Sequence, residues 1–453
     1  MSRLSTLAAC ALLVCAAASS TAALAQQAYP ATLAGHAVMP AMTLVPAPKD
    51  APQDLQVSGK FTTPKRVETL GSVEGLSGGR PTGISLPFAG QPLQGHSGIK
   101  RMADGSFWIL TDNGAGAKAN SPDFMLHLSH YSVDFKAGQF NRLATVFLHD
   151  PDKKVPFRIT HEGTDKRYLT GADFDPESFQ FAGGALWIGE EFGPYLIKAD
   201  LSGRVLAVFE TQVDGKLVRS PDHPAITTAG APDAKAPAFE VKRSKGYEGM
   251  ASSKDGSKLY ALLEGPLWNE AGKAYEAVDG KQYLRVLEFD VKAEQWTGRH
   301  WKYVLEANHH AIGDFNMIDG TTGLIIERDN GEGTADKACP EGQKRTDCFH
   351  DLAKFKRVYK IELTDANVGG PLRKVGYIDL MSIQDPKRLA KKPLNDGVLT
   401  FPFFTIENVD VVDGTHIVVG NDNNLPFSSS REPNKADDNE LVLLEVGELL
   451  RAK

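Results

Sequence analysis

The stretch "HSGIKRMADGSFWILTDNG", His96–Gly114, reads as two strands folded about a tight turn at Asp104–Gly105, and it ends on an acid, Asp112. The same pattern returns four times. "ESFQFAGGALWIGEEFG" begins at Glu177 and turns at Gly183–Gly184, and "EGMASSKDGSKLYALLEG" begins at Glu248 and turns at Asp255–Gly256. "DFNMIDGTTGLIIERDNG" begins at Asp314 and turns at Asp319–Gly320, and "ENVDVVDGTHIVVGNDN" begins at Glu407 and turns at Asp413–Gly414. Asp-Gly and Gly-Gly supply the positive φ angles that two-residue hairpins demand, so five such turns between apolar runs predict five β-hairpins.

Further strand-like sequence follows most of them. "PYLIKADLSGRVLAVFE" from Pro194, "YLRVLEFDV" with "RHWKYVLE", and "RVYKIEL" with "KVGYIDL" each supply an outer pair. Four antiparallel strands repeated around a ring is the plan of a β-propeller blade, here stretched by long insertions. The expected fold is all-β, a single propeller of five or six blades, a sixth being sought in residues 60–95. The last unit ends on "NELVLLEV", one strand short, so an N-terminal strand should close the ring, with "GKFTTPKRVETLGSV", Gly59–Val73, as the candidate. A pair of β-sandwiches is the competing architecture, but it has no need of the same hairpin five times.

Residues 1–25 read as a signal peptide: Arg3, the apolar run "LAACALLVCAAA", and small residues to Ala25 for cleavage. Export to the periplasm or beyond follows, without a stable membrane anchor. Residues 26–58, rich in Ala and Pro, read as a linker or surface-draped arm, and 59–453 as the propeller domain. A net charge of −7 without a basic block argues against nucleic-acid partners. Cys339 and Cys348 are the cysteines left after cleavage; in an oxidising compartment they predict a loop disulfide worth about 3 kcal/mol. A monomer is expected.

In a propeller the start of each innermost strand and the end of the next lie on one rim. Starts carry Glu177, Glu248, Asp314 and Glu407, with His96 in the first unit. Ends carry Asp112, Glu190 and Glu191, Glu264, Glu327 and Asp329, and Asp422. Crowded carboxylates are costly unless a cation neutralises them, and hard oxygen donors suit Ca²⁺, with Mg²⁺ second. Asp112, Glu190, Glu191, Glu264, Glu327, Asp329, Glu407 and Asp422 are the candidate ligands. Each acid taken singly has a structural alternative, capping loop amides or pairing with an arginine of the next blade. Glu177 or Glu248 could position a water, His96 could serve as acid or base, and Arg328, Lys245 and Arg243 could meet substrate oxygens. Gly246 and Gly249 would allow close approach at Glu248, with Tyr247 as an aromatic wall.

These motifs, with "DFDPESF…LWIGEEFGPYLIKAD", "KGYEGMA" and "LIIERDNG", make the chain resemble the phytase-like proteins described as having esterase-like activity of phytase. The resemblance implies a propeller related to the six-bladed, calcium-using alkaline phytases. It carries functional roles onto Glu177, Glu190, Glu191, Glu248, Glu264, Glu327, Arg328, Glu407 and Asp422. Ser178 departs from the glycine of a "DPEG"-like motif, and no basic cluster of phytate-binding strength is present. The expected function is a calcium-dependent hydrolase of phosphate or other small-molecule esters. A calcium-binding propeller lactonase and a non-catalytic ligand- or partner-binding propeller are the alternatives. No P-loop is present.

Overall fold

The computed structural model describes residues 26–226 and 239–453. The proposed signal peptide and its cleavage site lie outside the described residues.

Each hairpin opens a four-stranded antiparallel sheet. Blade 1 is His96–Arg101, Phe107–Thr111, His127–Asp134 and Gln139–Phe147; blade 2 is Pro176–Ala182, Ala185–Glu190, Tyr195–Ala199 and Val205–Glu210. Blade 3 is Tyr247–Ser252, Lys258–Leu263, Lys281–Asp290 and Gln295–Val304. Blade 4 is Ala311–Met317, Thr322–Arg328, Lys356–Glu362 and Arg373–Asp379, with Gln27–Tyr29 added in parallel at its outer edge. Blade 5 is Ile406–Val411, His416–Asn421 and Asn439–Glu445, completed by Thr32–Met39. The innermost strands touch in the cyclic order 1-2-3-4-5-1, so the sheets surround one axis. The helix Gly447–Arg451 follows the last strand.

One expectation is corrected. The closing strand is Thr32–Met39, inside the stretch that composition presents as linker, and not Gly59–Val73. Its partner Asn439–Glu445 lies some four hundred residues away in sequence, so no local signal marks the pairing. The ring has five blades, within the five or six expected; no sixth forms in residues 60–95, which give the hairpin Val73–Ser77 with Arg80–Leu86 and a short strand, Gln91–Pro92, paired to Leu44–Val45.

The five turns form where expected, though by two devices. Gly105, Gly183, Gly184 and Gly256 take positive φ; Gly320 and Gly414 do not. At the latter two turns the aspartate carries the geometry. Asp319 Oδ1 accepts the amides of Thr321 and Thr322 at 2.8 Å each, and Asp413 Oδ1 those of Thr415 at 2.8 Å and His416 at 2.9 Å.

Apolar residues of facing sheets fill each of the five gaps. Leu110, Phe179 and Ile188 pack between blades 1 and 2; Trp187, Met250 and Phe289 between 2 and 3; Leu262, Trp301 and Tyr359 between 3 and 4. Leu324, Val409 and Val442 pack between 4 and 5, and Ile99, Tyr131 and Val418 between 5 and 1. The closing strand serves two gaps, Leu33 entering the one and Met39 the other. Its His36 Nε2 also meets Glu440 Oε2 at 3.0 Å beneath Arg431. Leu33 is fully buried, so Leu33→Ala should cost about 2–5 kcal/mol by lost burial and a cavity. Urea unfolding checks this; an unchanged midpoint would mean that the strand does not close the ring.

Candidate functional site

The innermost strand of every blade slips register near its start. In three blades the extra residue is a glutamate: Glu177 between paired Pro176 and Ser178, Glu248 between Tyr247 and Gly249, and Glu407 between Ile406 and Asn408. In blade 1 the slip holds Ser97 and Gly98, and in blade 4 Gly313 and Asp314. A bulge leaves its residue out of the ladder and re-aims the side chain, which is how three glutamates from three sheets come to face one cleft. Glycines let the strands close up: a Cβ on Gly246 would lie 2.4 Å from Glu191 Cα, and one on Gly313 2.2 Å from the Ile406 carbonyl oxygen.

The cleft at this end has a volume of about 190 Å³. Its walls carry Glu177, Glu248 and Glu407 together with Asp112, Asp175, Glu191, Glu264 and Asp422, against two cations, Lys245 and Arg328. Carboxylate oxygens meet in three overlapping groups, each within 4.8 Å: Asp175–Glu177–Glu191, Glu177–Glu248–Glu407 and Glu191–Glu248–Glu264. Some partners are supplied by the protein. Glu407 accepts Ser97 Oγ at 3.0 Å and Arg328 Nη2 at 3.2 Å, Glu264 pairs with Lys245, and Asp112 accepts the Gly114 amide at 2.8 Å. Oε1 of Glu191 and Oε1 of Glu248 are buried with no hydrogen-bond partner among the described residues.

Burial and mutual repulsion act on the protonation of this set. Burial, then Asp175 and Glu248, push Glu177 well above the usual carboxylate range; burial, then Glu407 and Glu264, do the same to Glu248. Burial, then Glu264, raises Glu191; burial, then Glu407 and Asp112, raises Asp422. Burial pushes Asp112 up to about 6. Burial opposes the charge on Arg328, but Glu407, Glu264 and Glu248 outweigh it and keep the guanidinium protonated.

Of the acids read from the sequence, Glu177, Glu248, Glu191, Glu264, Glu407, Asp112 and Asp422 therefore converge, with Arg328 and Lys245. Others lie elsewhere. Glu190 is fully buried beneath the loop that follows it; Oε1 accepts the amides of Gly193 and Tyr195 at 2.7 Å each, and Oε2 that of Phe192 at 2.9 Å. Glu327 points to the opposite face of its strand from Arg328. There it accepts from Tyr303 Oη, His310 Nδ1 and Lys374 Nζ at 2.8 Å each. Asp329 accepts the amides of Lys354 and Phe355 at 2.8 Å each and pairs with Lys356 at 2.9 Å. Asp314 stitches blades at the axis, accepting the amides of Ile99 at 3.3 Å and Val409 at 3.2 Å.

His96 is buried beside Tyr131, ring centroids 6.2 Å apart, and does not line the cleft; burial, then His127, push it down to about 3, so it is neutral at ordinary pH. Arg243 is exposed and pairs with Asp222. Tyr247 is core and no wall: its hydroxyl bonds Thr211 Oγ1 at 2.6 Å. Asp175 was missed because it precedes its strand and is followed by Pro176; its place two residues before Glu177 was the available signal. Ser178, the departure from the family pattern, donates to the Tyr247 carbonyl at 2.7 Å and ties blade 2 to blade 3.

A larger cavity, about 500 Å³, lies among the hairpin turns and is lined by Trp108, Phe181 and Gly183; it holds none of the converging acids. The Cys339–Cys348 disulfide forms in the loop after the second strand of blade 4. No helix of the described residues is long and apolar enough to cross a membrane.

Two predictions separate the cleft acids from the others. The cleft carboxyls have folded-state pKa values above their unfolded ones, so the stability they carry in the protonated form is complete below about pH 4 and lost as pH rises. In EDTA, Tm should therefore fall from about pH 5 to about pH 8, and added calcium should recover it most at the higher pH. A flat profile in EDTA would contradict the crowding. Glu327→Ala leaves Tyr303 Oη, His310 Nδ1 and the Glu306 amide without their acceptor, while Lys374 keeps Glu306, and should destabilise by about 2–3 kcal/mol with the fall of Tm between about pH 5 and pH 8 still in place, as thermal unfolding can measure.

Comparisons with known proteins place the chain. A secreted protein of Arthroderma benhamiae, itself uncharacterised, is 30% identical over 118 residues, covering 24% of this chain and 22% of that protein; the chain thus spans about a fifth of that relative's length. The periplasmic gluconolactonase of Pseudomonas aeruginosa aligns at 14% identity and TM-score 0.31, over 86% of this chain and 98% of that one. The PQQ-bound aldose sugar dehydrogenase of Streptomyces coelicolor aligns at 9% and 0.30, over 78% and 94%. These structural likenesses are weak, and the propeller rests on its own five sheets. The family described as "Phytase-like: Esterase-like activity of phytase" matches residues 91–425, nearly the whole ring and every acid of the cleft, and to that family the chain belongs.

Proposed function

We propose that this protein is an exported hydrolase that cleaves esters, phosphate esters first among them, at a calcium site in the acidic cleft of the ring. The observation that carries the reading is the set of three overlapping carboxylate groups drawn from neighbouring blades, with buried unpartnered oxygens on Glu191 and Glu248. An all-oxygen donor set of this size suits a hard cation, and Ca²⁺ tolerates the irregular geometry better than Mg²⁺. Asp175, Glu177, Glu191, Glu264 and Glu407 would hold it, leaving Glu248 to the water. Export is supported by the Cys339–Cys348 disulfide and by the secreted relative.

When bound, calcium supplies charge neutralisation and polarises an ester oxygen. The chain's residues do the rest. Arg328, held by Glu407 and by Asn330 Oδ1 at 3.1 Å, presents fixed donors for the substrate's oxygens. Glu248, with one oxygen unpartnered, is placed to orient a water and take its proton. The water oxygen bonds to phosphorus or to the acyl carbon, the ester bond breaks, and the proton passes to the leaving oxygen. His96, buried and neutral, takes no part. A lactone is a cyclic carboxylic ester and falls under the same chemistry.

Phosphate monoesters, phytate, carboxyl esters and lactones should be assayed with calcium and with EDTA. Turnover of at least one class should require calcium; none with any would remove the hydrolase reading. Glu248→Gln should lower calcium-dependent turnover about a hundredfold, roughly 3 kcal/mol of transition-state stabilisation, without lowering Tm. Full activity in that variant would exclude Glu248 from the reaction.

A further inference from the structure

The hairpin turns gather at the end of the ring opposite the carboxylates, and there the cavity of about 500 Å³ opens among the turns of blades 1, 2 and 3. The axis between the two ends is filled. Asn316 accepts from Gln180 Nε2 at 2.9 Å and from Lys100 Nζ at 2.7 Å, and it donates to the Val409 carbonyl at 2.8 Å. Gln180 also donates to the Met250 carbonyl at 2.7 Å. These bonds tie the inner strands of all five blades together, so the cavity and the acidic cleft are separate sites.

The walls of the cavity are apolar. Leu128, Leu186, Phe181 and Trp108 line it, with Leu201, which is 63% exposed. Trp108 is fixed as a platform. Its ring stacks on His130 with centroids 4.6 Å apart and planes 3° apart, and Phe181 meets it edge-on at 6.0 Å. Ser106 Oγ holds His130 Nε2 in turn at 2.7 Å.

The polar atoms of the lining divide by kind. The hydroxyls and the carboxylate are engaged within the protein: Ser252 Oγ donates to Gln180 Oε1 at 3.1 Å, and Asp255 Oδ1 accepts Ser253 Oγ at 2.7 Å and Ser257 Oγ at 2.8 Å. Two donors are left over. Trp187, Trp268, Trp296 and Trp301 each give their indole N–H to an oxygen, but that of Trp108 has no acceptor among the described residues. The exposed Lys254 has neither a hydrogen-bond nor an ion-pair partner among them. Unused donors, one of them charged, beside apolar walls complement a molecule of the reverse pattern, a carbon skeleton that ends in an anionic acceptor.

We infer that this cavity is a second ligand site, which takes a hydrophobic carboxylate. The skeleton lies against Trp108, Phe181 and Leu201, and the carboxylate meets Lys254, with the indole N–H of Trp108 as a further donor. The site stands or falls apart from the hydrolase reading, since the filled axis separates it from the acids.

Calorimetry on the full chain, in calcium and again in EDTA, tests this with octanoate and naphthoate as probes and octanol and naphthol as their neutral counterparts. At least one carboxylate should bind about tenfold more tightly than its neutral counterpart, and equally in calcium and in EDTA. The tighter of the two distinguishes an acyl chain from an aryl ring. Lys254→Glu, at an exposed position, should remove the preference for the acid. Trp108→Phe keeps an aromatic ring, removes the N–H and should weaken the carboxylate too. A loss in either variant places the probe in this cavity. Binding of neither carboxylate, binding no tighter than that of the neutral counterparts, or binding unchanged in both variants would overturn the site. So would binding seen in calcium alone, which would put the carboxylate on the metal at the acidic cleft and leave the hydrolase reading intact.

Discussion

Carboxylates facing one another across a small cleft repel, and the upper end of this ring is organised around holding them there. Bulges aim Glu177, Glu248 and Glu407 out of their ladders, and the ends of the second strands bring Glu191 and Glu264 alongside. No local hydrogen bond drives such an arrangement. It persists because the five interblade cores fix where each strand begins, so the acids cannot separate without opening the ring. The energy of packing is thereby partly stored as electrostatic strain, which a cation or bound protons relieve.

The two basic groups at the cleft have different standing. Lys245 neutralises Glu264 from a flexible stem, while Arg328 is buried and braced between Glu407, Asn330 and the ring of Phe404. A braced, permanently charged fork suits recognition of planar or tetrahedral oxyanions better than it suits simple charge balance.

Much of this was legible from the residues. Turn chemistry is local, so five Asp-Gly and Gly-Gly pairs between apolar runs marked five hairpins, and the acids at their ends marked the rim. Legibility ended where neighbours along the chain diverge in space. Glu190 and Glu191 are adjacent, yet one is saturated by loop amides and the other faces the cleft; Glu327 and Arg328 divide in the same way across a strand. Asp175 lies outside any strand, where neither turn chemistry nor strand periodicity marks it. His96 is the first residue of its strand, the paired position that Pro176, Tyr247 and Ile406 hold in theirs; the bulge takes Ser97 and Gly98 instead, and the imidazole is left in the core.

The all-β class, the hairpin repeat, the loop disulfide and the excess of acids at one rim are all local, each following from residues close together in the chain. That the blades number five and that Thr32–Met39 closes the ring emerges with the folded chain. The folded chain also decides which acids share a cleft and that donors collect beside them. Those outcomes depend on pairings across hundreds of residues and on bulges that reverse which face a side chain takes. Neither is written in composition or periodicity, since a one-residue slip changes every direction while leaving the sequence pattern intact.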